Sequence, residues 1–466
     1  MALMDLVKRT PGAVYPYFLM RSALLGLRAM MSIGYASLKR GEKPFNPNMI
    51  KDRERNLFKL WMEGRPPDYQ VAVGETLSLT VDHSVDVFSR MAREPEKLIW
   101  HEDIIPPEII QAMDLIPFMV EGMAGTVPMV APAQTHHLID VAENAGYPGD
   151  ICSLPKTTLG MIFEGLLPPP RAIVCSNSPC DGGMSSYLPI EQKVEVPVCR
   201  VEFPWNVYEP RAREYCLKEV WRMIRFLEEI AGHPLDMDRL REICQTRNRM
   251  HEATLELWEL IKHRPSPMGG VLLPLSHMAY QVCPGTPLGL RIIEGVLKVA
   301  RANYKEGRGL VEEEKHRAIM WGAYPAVCPD LYKWLEDNYG TVTVMEMLTY
   351  NRHPFIDTSS EASMMRDLVD IMAKAPMARH TRGPVENFLS DLFRVYEDFQ
   401  ADMVIMGAHQ SCKNTRAVLR ILRESCRREE IPLLIIDHDI CDARVVSPEG
   451  IKSQVSDFMD TVMRDD

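Results

Sequence analysis

From about residue 97 onward, short apolar and β-branched runs alternate with longer stretches whose apolar positions recur at helical spacing. That is the sequence form of an α/β unit with a parallel sheet. Ala172-Ile173-Val174-Cys175 reads as a buried strand, a helix is expected from about Met184, and Val196-Pro197-Val198-Cys199-Arg200-Val201 reads as the next strand. A long helical stretch is expected from about Arg211 to Lys262, stopped at Arg264-Pro265-Ser266-Pro267, where proline cannot continue a helix. The second half repeats the plan: a strand at Asp402-Met403-Val404-Ile405-Met406, a helix from Thr415 to Arg428, and a strand at Ile431-Pro432-Leu433-Leu434-Ile435-Ile436. In each half a buried strand runs into a polar turn that ends in cysteine, Ser176-Asn177-Ser178-Pro179-Cys180 and Gly407-Ala408-His409-Gln410-Ser411-Cys412. Ligands of open parallel sheets gather beyond the carboxyl ends of the strands, so two such units facing each other could bring both thiols to one place.

Residues 1 to about 95 read as mostly helical, with loops at Gly41-Glu42-Lys43-Pro44-Phe45-Asn46-Pro47 and Gly64-Arg65-Pro66-Pro67. The expected fold class is therefore α/β, with two Rossmann-like parallel-sheet domains facing a cleft and a helical N-terminal extension. The expected boundaries are 1–96 for the extension, 97–264 for the domain carrying Cys152 and Cys180, and 265–466 for the domain carrying Cys412. A chain of 466 residues exceeds the usual span of one core, which agrees with division into several.

Composition narrows the function classes. No run of about 18 uncharged apolar residues predicts an integral membrane segment. The basic and apolar start is interrupted by Arg21 and Arg28, which argues against a secretion signal and for an amphipathic helix that packs on a partner or on the protein itself. A formal charge of −11 disfavours nucleic acid as a partner, because phosphate recognition needs a basic field. Eleven cysteines without a secretory context point to a reducing, cytoplasmic setting in which thiols serve metals or chemistry. Cys199, Cys216, Cys244, Cys283, Cys328, Cys426 and Cys441 lie in apolar or helical stretches and are expected to be inert core residues.

Another cysteine, Cys152, ends the turn Gly146-Tyr147-Pro148-Gly149-Asp150-Ile151-Cys152, ahead of an expected helix from Lys156 to Gly165. A thiol near a helix N-terminus feels the positive end of the dipole, which favours thiolate and metal binding, although the same turn could simply cap the helix. The spacing of Cys152, Cys180 and Cys412 matches no local metal signature such as CxxC, so spacing alone leaves the question open.

Three blocks nonetheless resemble the 2-hydroxyacyl-CoA dehydratase and benzoyl-CoA reductase family over roughly residues 97 to 466. They are Gly146-Tyr147-Pro148-Gly149-Asp150-Ile151-Cys152, similar to G-Y-x-x-D-I-C; Ala172-Ile173-Val174-Cys175-Ser176-Asn177-Ser178-Pro179-Cys180-Asp181, a strand and loop ending in cysteine; and Ser411-Cys412-Lys413 with Asp437-His438-Asp439-Ile440-Cys441-Asp442-Ala443-Arg444, similar to S-C-K and D-x-D-x-x-D-x-R. The resemblance implies that Cys152, Cys180 and Cys412 ligate three irons of a [4Fe–4S] cluster, with Cys175 as a possible substitute ligand. Trp100-His101-Glu102-Asp103-Ile104-Ile105-Pro106-Pro107-Glu108 is similar to the family's entry segment. By the same resemblance Glu121 is a candidate acid/base or hydroxyl-binding group, the alternative being a solvated glutamate at a loop, while Asp103 stands where substrate-binding dehydratase subunits often carry serine. The segment Arg264-Pro265-Ser266-Pro267 resembles an interdomain linker.

The implied activity is elimination of water from a 2-hydroxyacyl-CoA to an enoyl-CoA through a substrate ketyl radical after one-electron activation. Net reduction of an aromatic acyl-CoA, or a non-catalytic structural or electron-transfer role, are the alternatives. The implied partners are an acyl-CoA thioester, a second homologous subunit in a heterodimer or homodimer, and a separate ATP-dependent iron–sulfur activator, since this chain has no GxxxxGK[ST] loop of its own.

Overall fold

The computed structural model describes residues 61 and 63–464. The expected N-terminal amphipathic helix and the loop at 41–47 lie outside the described residues. Eight strands form two sheets: β1 (Leu98–His101), β2 (Ile116–Met119), β3 (Ala172–Ser176) and β4 (Val198–Val201) in the first, β5 (His316–Gly322), β6 (Thr341–Glu346), β7 (Met403–His409) and β8 (Leu433–His438) in the second. The strand orders are β2-β1-β3-β4 and β6-β5-β7-β8, the same topology twice. Every neighbouring pair is parallel, with Trp100 beside Ile173 in one sheet and Met406 beside Ile435 in the other.

Strand residues alternate between two apolar layers, as a period of two requires. Ala172 and Val174 pack with Ile99 and Val201, whereas Ile173 and Cys175 face the layer holding Leu98 and Trp100. In the second sheet Ile319 and Trp321 face one core, and Ala318 and Met320 the other. Both faces of each sheet are thus covered by helices, the arrangement of Rossmann-like parallel-sheet domains. Each fully buried large apolar side chain in these layers contributes about 1.5–3 kcal/mol relative to exposure.

The strand starts share one device. Pro197 and Pro432 lie just before β4 and β8, and their carbonyls accept the N–H of Ile173 and Val404 at 3.0 and 2.9 Å. Proline can accept but not donate, so both segments enter their sheets only after it.

The stretch expected as one helix from Arg211 to Lys262 is two helices, Pro210–Ala231 and Met237–Ile261. Gly232 takes the left-handed conformation at φ +78° and donates its N–H to Glu228 O at 2.8 Å. Asp236 then caps the second helix through the N–H groups of Asp238 and Arg239. The expected helix from Thr415 to Arg428 is likewise divided, into Lys413–Ala417 and Leu419–Arg428.

The two sheets share their helices. Helix Pro67–Arg93 gives Tyr69, Ala72, Val73 and Leu79 to a core of the second sheet, and Phe88 and Met91 to a core of the first. Helix Met237–Ile261 places Leu240 and Cys244 against the first sheet, and Met250, Leu257 and Trp258 against the second. Helix Glu361–Lys374 comes from between β6 and β7, yet Met364, Met365 and Leu368 pack in a core of the first sheet. A buried Glu108–Arg247 ion pair adds a polar tie between helices Pro107–Ala112 and Met237–Ile261. Arg264, in the proline-rich segment, pairs with Asp402 at 2.7 Å and Glu314 at 3.3 Å. Among the described residues no helix is long and apolar enough to cross a membrane.

Candidate functional site

Three segments end in a cysteine at the N-cap position of a helix. Cys152 is the N-cap of Ser153–Phe163, Cys180 of Asp181–Val194, and Cys412 of Lys413–Ala417. Cys180 follows β3 and Cys412 follows β7, each beside the point where the strand order reverses direction. Their sulfurs accept the N–H of Gly183 and of Thr415, each at 3.5 Å. These three cysteines are partly exposed, and every other cysteine is buried. Cys175 sits in the apolar layer under β3, where burial pushes its thiol up to about 12.

The trio is close enough for its members to feel one another. Burial, and then the Cys180 and Cys412 sulfurs, raise the Cys152 thiol well above its ordinary range. Burial raises Cys180 to about 12, with Glu121 and Cys412 adding to the effect. A Cβ placed on Gly182 would lie 3.5 Å from the Cys152 Cβ, so the start of helix Asp181–Val194 abuts the Cys152 turn. Among the described residues no group of three or more His, Cys, Asp or Glu side chains converges on a single metal ion.

A second set of residues ties these turns together. His409 Nε2 stands 3.1 Å from Cys152 Sγ, across the division between the two sheets. Asp439, 1% exposed, accepts the hydroxyl of Ser153, that of Ser411 at 3.2 Å, and the N–H groups of Cys441 and Asp442 at 2.9 Å each. One carboxylate therefore holds the neighbours of both Cys152 and Cys412.

Carboxylates line the other side. Glu102, fully buried at the end of β1, accepts the Ser176 N–H at 2.7 Å through Oε2, while Oε1 has no hydrogen-bond partner among the described residues. A Cβ on Gly183 would lie 3.6 Å from Glu102 Oε1, 3.6 Å from Glu121 Oε1 and 3.9 Å from Cys180 Sγ, which places the two glutamates and this cysteine around one point. Burial, followed by repulsion from Glu121, lifts Glu102 well above the usual carboxylate range. Burial and the nearby Asp103 bring Glu121, in the first turn of helix Val120–Val130, up to about 7. Asp103 is raised by burial despite the Gln281 amide, which donates to it at 2.9 Å. It borders a cavity with Arg247, His277, Tyr280, Gln281 and Asn351, drawn from both halves of the chain.

The structure thus brings Cys152, Cys180, Cys412 and Glu121 into one neighbourhood. Sequence reasoning did not assign Glu102, His409 or Asp439 a role, although all three lie in segments singled out there. The available signal was their place at or just beyond strand ends; what they bind could not be read from it.

Comparison with known proteins gives the family. Residues 104–462 match the family described as "2-hydroxyglutaryl-CoA dehydratase, D-component". The chain is 20% identical to a benzoyl-CoA reductase subunit of Thauera aromatica, over 76% of this chain and 86% of that protein. It is 24% identical to the (R)-phenyllactyl-CoA dehydratase alpha subunit of Clostridium sporogenes, over 75% and 85%. It is 22% identical to the lactoyl-CoA dehydratase alpha subunit of Anaerotignum propionicum, over 77% and 89%. With most of its length inside the match, and the matched segment holding all three cysteine turns, this chain belongs to the 2-hydroxyglutaryl-CoA dehydratase D-component family.

Proposed function

We propose that the chain is an iron–sulfur subunit of a 2-hydroxyacyl-CoA dehydratase, with a [4Fe–4S] cluster on Cys152, Cys180 and Cys412. The observation that carries this reading is that three cysteines from remote segments are the partly exposed ones, and each stands at the N-cap position of a helix beside the others. Helix N-terminal amides favour thiolate over thiol, and iron would offset the burial, and then the nearby negative groups, that raise Cys152 and Cys180. When bound, such a cluster supplies a low-potential electron and an iron without a protein thiolate, open to a substrate oxygen.

The chain's own residues supply orientation and proton handling. Glu121, poised near neutrality, is the group that takes the β-proton of the acyl chain. Burial keeps it there, and Asp103 adds to the effect because a like charge nearby disfavours ionisation. The Asp103 carboxylate also borders the cavity that would take part of an acyl-CoA thioester. The relatives are each named as one subunit of an enzyme, which supports a second homologous subunit, and the missing phosphate loop supports a separate ATP-dependent activator. Thiolate-bound iron suits a reducing cytoplasm.

A reductase reading is favoured by one observation, the match to a benzoyl-CoA reductase subunit. One experiment addresses both. Protein purified without oxygen should carry about four irons per chain, and alanine at Cys152, Cys180 or Cys412 should each remove them; iron-free wild-type protein rejects the cluster. With a family-type activator, ATP, magnesium and reductant, a dehydratase forms many products per ATP because its electron is recycled. A reductase consumes ATP in fixed proportion to product.

A further inference from the structure

Of the three sulfurs, that of Cys152 meets a side chain from the opposite half. His409, the last residue of β7 and 1% exposed, reaches it at 3.1 Å through Nε2. The other ring nitrogen, Nδ1, accepts the Ile440 N–H at 3.3 Å. A neutral imidazole that accepts at Nδ1 carries its proton on Nε2, so the ring donates to the sulfur.

A fixed carboxylate lies behind the ring. Asp439 Oδ2 stands 3.4 Å from Nδ1, and the same carboxylate is fixed by Ser153, Ser411 and the N–H groups of Cys441 and Asp442. Cys180 and Cys412, by contrast, receive longer backbone N–H contacts of 3.5 Å from their own helices. The His409 bond is therefore an added device on one sulfur.

We propose that His409 is a positioning residue for Cys152, whose Nε2–H fixes the sulfur and raises the reduction potential of the cluster; the proposal rests on the cluster reading above. A donor to a ligand sulfur stabilises the electron-rich reduced state more than the oxidised one, and hydrogen bonds to sulfur are an established lever on such potentials. Burial keeps water from replacing the donor. His409 itself transfers neither electron nor proton.

The test compares the full chain with His409→Phe, which fills the space without a donor, and His409→Gln, which retains one. Both are purified anaerobically and titrated under EPR. His409→Phe is expected to show a reduced-to-oxidised ratio about tenfold lower at a given potential, a shift of about 59 mV to more negative values, with His409→Gln restored toward wild type. Equal potentials in iron-replete wild type and His409→Phe overturn the proposal.

If His409→Phe does not retain iron, iodoacetamide labelling of the iron-free proteins decides, with Cys180 and Cys412 as references within each sample. Cys152 labelling should slow about fivefold in His409→Phe, the size of one net hydrogen bond, and recover in His409→Gln; equal rates in all three overturn it. Absence of iron from the wild-type chain would overturn the cluster reading and with it the effect on potential, whereas equal labelling rates in iron-replete preparations stripped of iron would overturn the His409–Cys152 contact and leave the cluster reading standing.

Discussion

At Glu121, burial and the Asp103 charge favour the protonated acid up to about pH 7, against an unfolded reference of about 4.3. Between those values the folded chain holds a proton that the unfolded chain has lost. The carboxyl's contribution to stability is therefore full below the lower value and disappears as pH rises through the upper one. E121Q should be more stable than wild type at pH 8, by about 1–3 kcal/mol in chemical denaturation. If the residue is the base, wild-type kcat/KM rises with pH through about 7, and E121Q loses at least about 100-fold in kcat. An active E121Q with the wild-type pH profile would remove Glu121 from the mechanism. The three cysteine turns could be picked out as candidates in the sequence because the blocks that carry them are contiguous and resemble a family. Glu102, His409 and Asp439 could not, since their partners lie 74, 257 and 286 residues away and only the fold pairs them.

Among the elements, helices Pro132–Asn144 and Ser153–Phe163 approach so closely at Gly160 that an added Cβ would lie 2.1 Å from Leu138 O. G160A must push one backbone off the other, and overpacking of this kind costs about 1–3 kcal/mol or more. Cys152 stands at the N-cap position of the second of these helices, so iron content should fall together with thermal stability. G295A, on helix Pro287–Lys305 with open space around the new Cβ, is the control: it should leave iron content unchanged and raise stability by up to about 1 kcal/mol, as alanine replaces glycine inside a helix. Melting curves and iron analysis on both variants check this; a G160A protein equal to wild type in both would separate the helix contact from the cysteine. Strands were readable as apolar runs, but their ends were not, since Pro197 and Pro432 look internal to the run and lie outside the ladder. The break at Gly232 was hidden because both flanking helices bury apolar residues, Leu227 and Leu240 among them, in one core, so the periodic pattern continues across it.

For the whole molecule, the repeated order of strand, cysteine turn, helix and strand was enough to anticipate two parallel sheets with matching plans, and the structure has them. The exchange of helices between the halves had no signature, because an amphipathic face shows that it will be buried and not against which sheet. Helix Glu361–Lys374 is the example, encoded in the second half and packed on the first. The matching plans have a consequence in terms of symmetry. Cys180 and Cys412 occupy equivalent places after β3 and β7, as a duplicated scaffold would put them. Cys152 lies between β2 and β3, and the equivalent span between β6 and β7 has no cysteine. That span instead contributes the π-helical turn Ala378–Arg382, whose Thr381 donates to Pro179 O at 3.4 Å and accepts from the Asn414 amide at 2.9 Å, beside both strand-end cysteines. A repeated strand plan would furnish ligands in pairs, and here one pair is broken. On the cluster reading, the irons are then inequivalent by construction, and Mössbauer spectra of iron-57-labelled protein should resolve one site distinct from the rest, whereas indistinguishable sites would mean that a ligand from elsewhere restores the missing half of the pair.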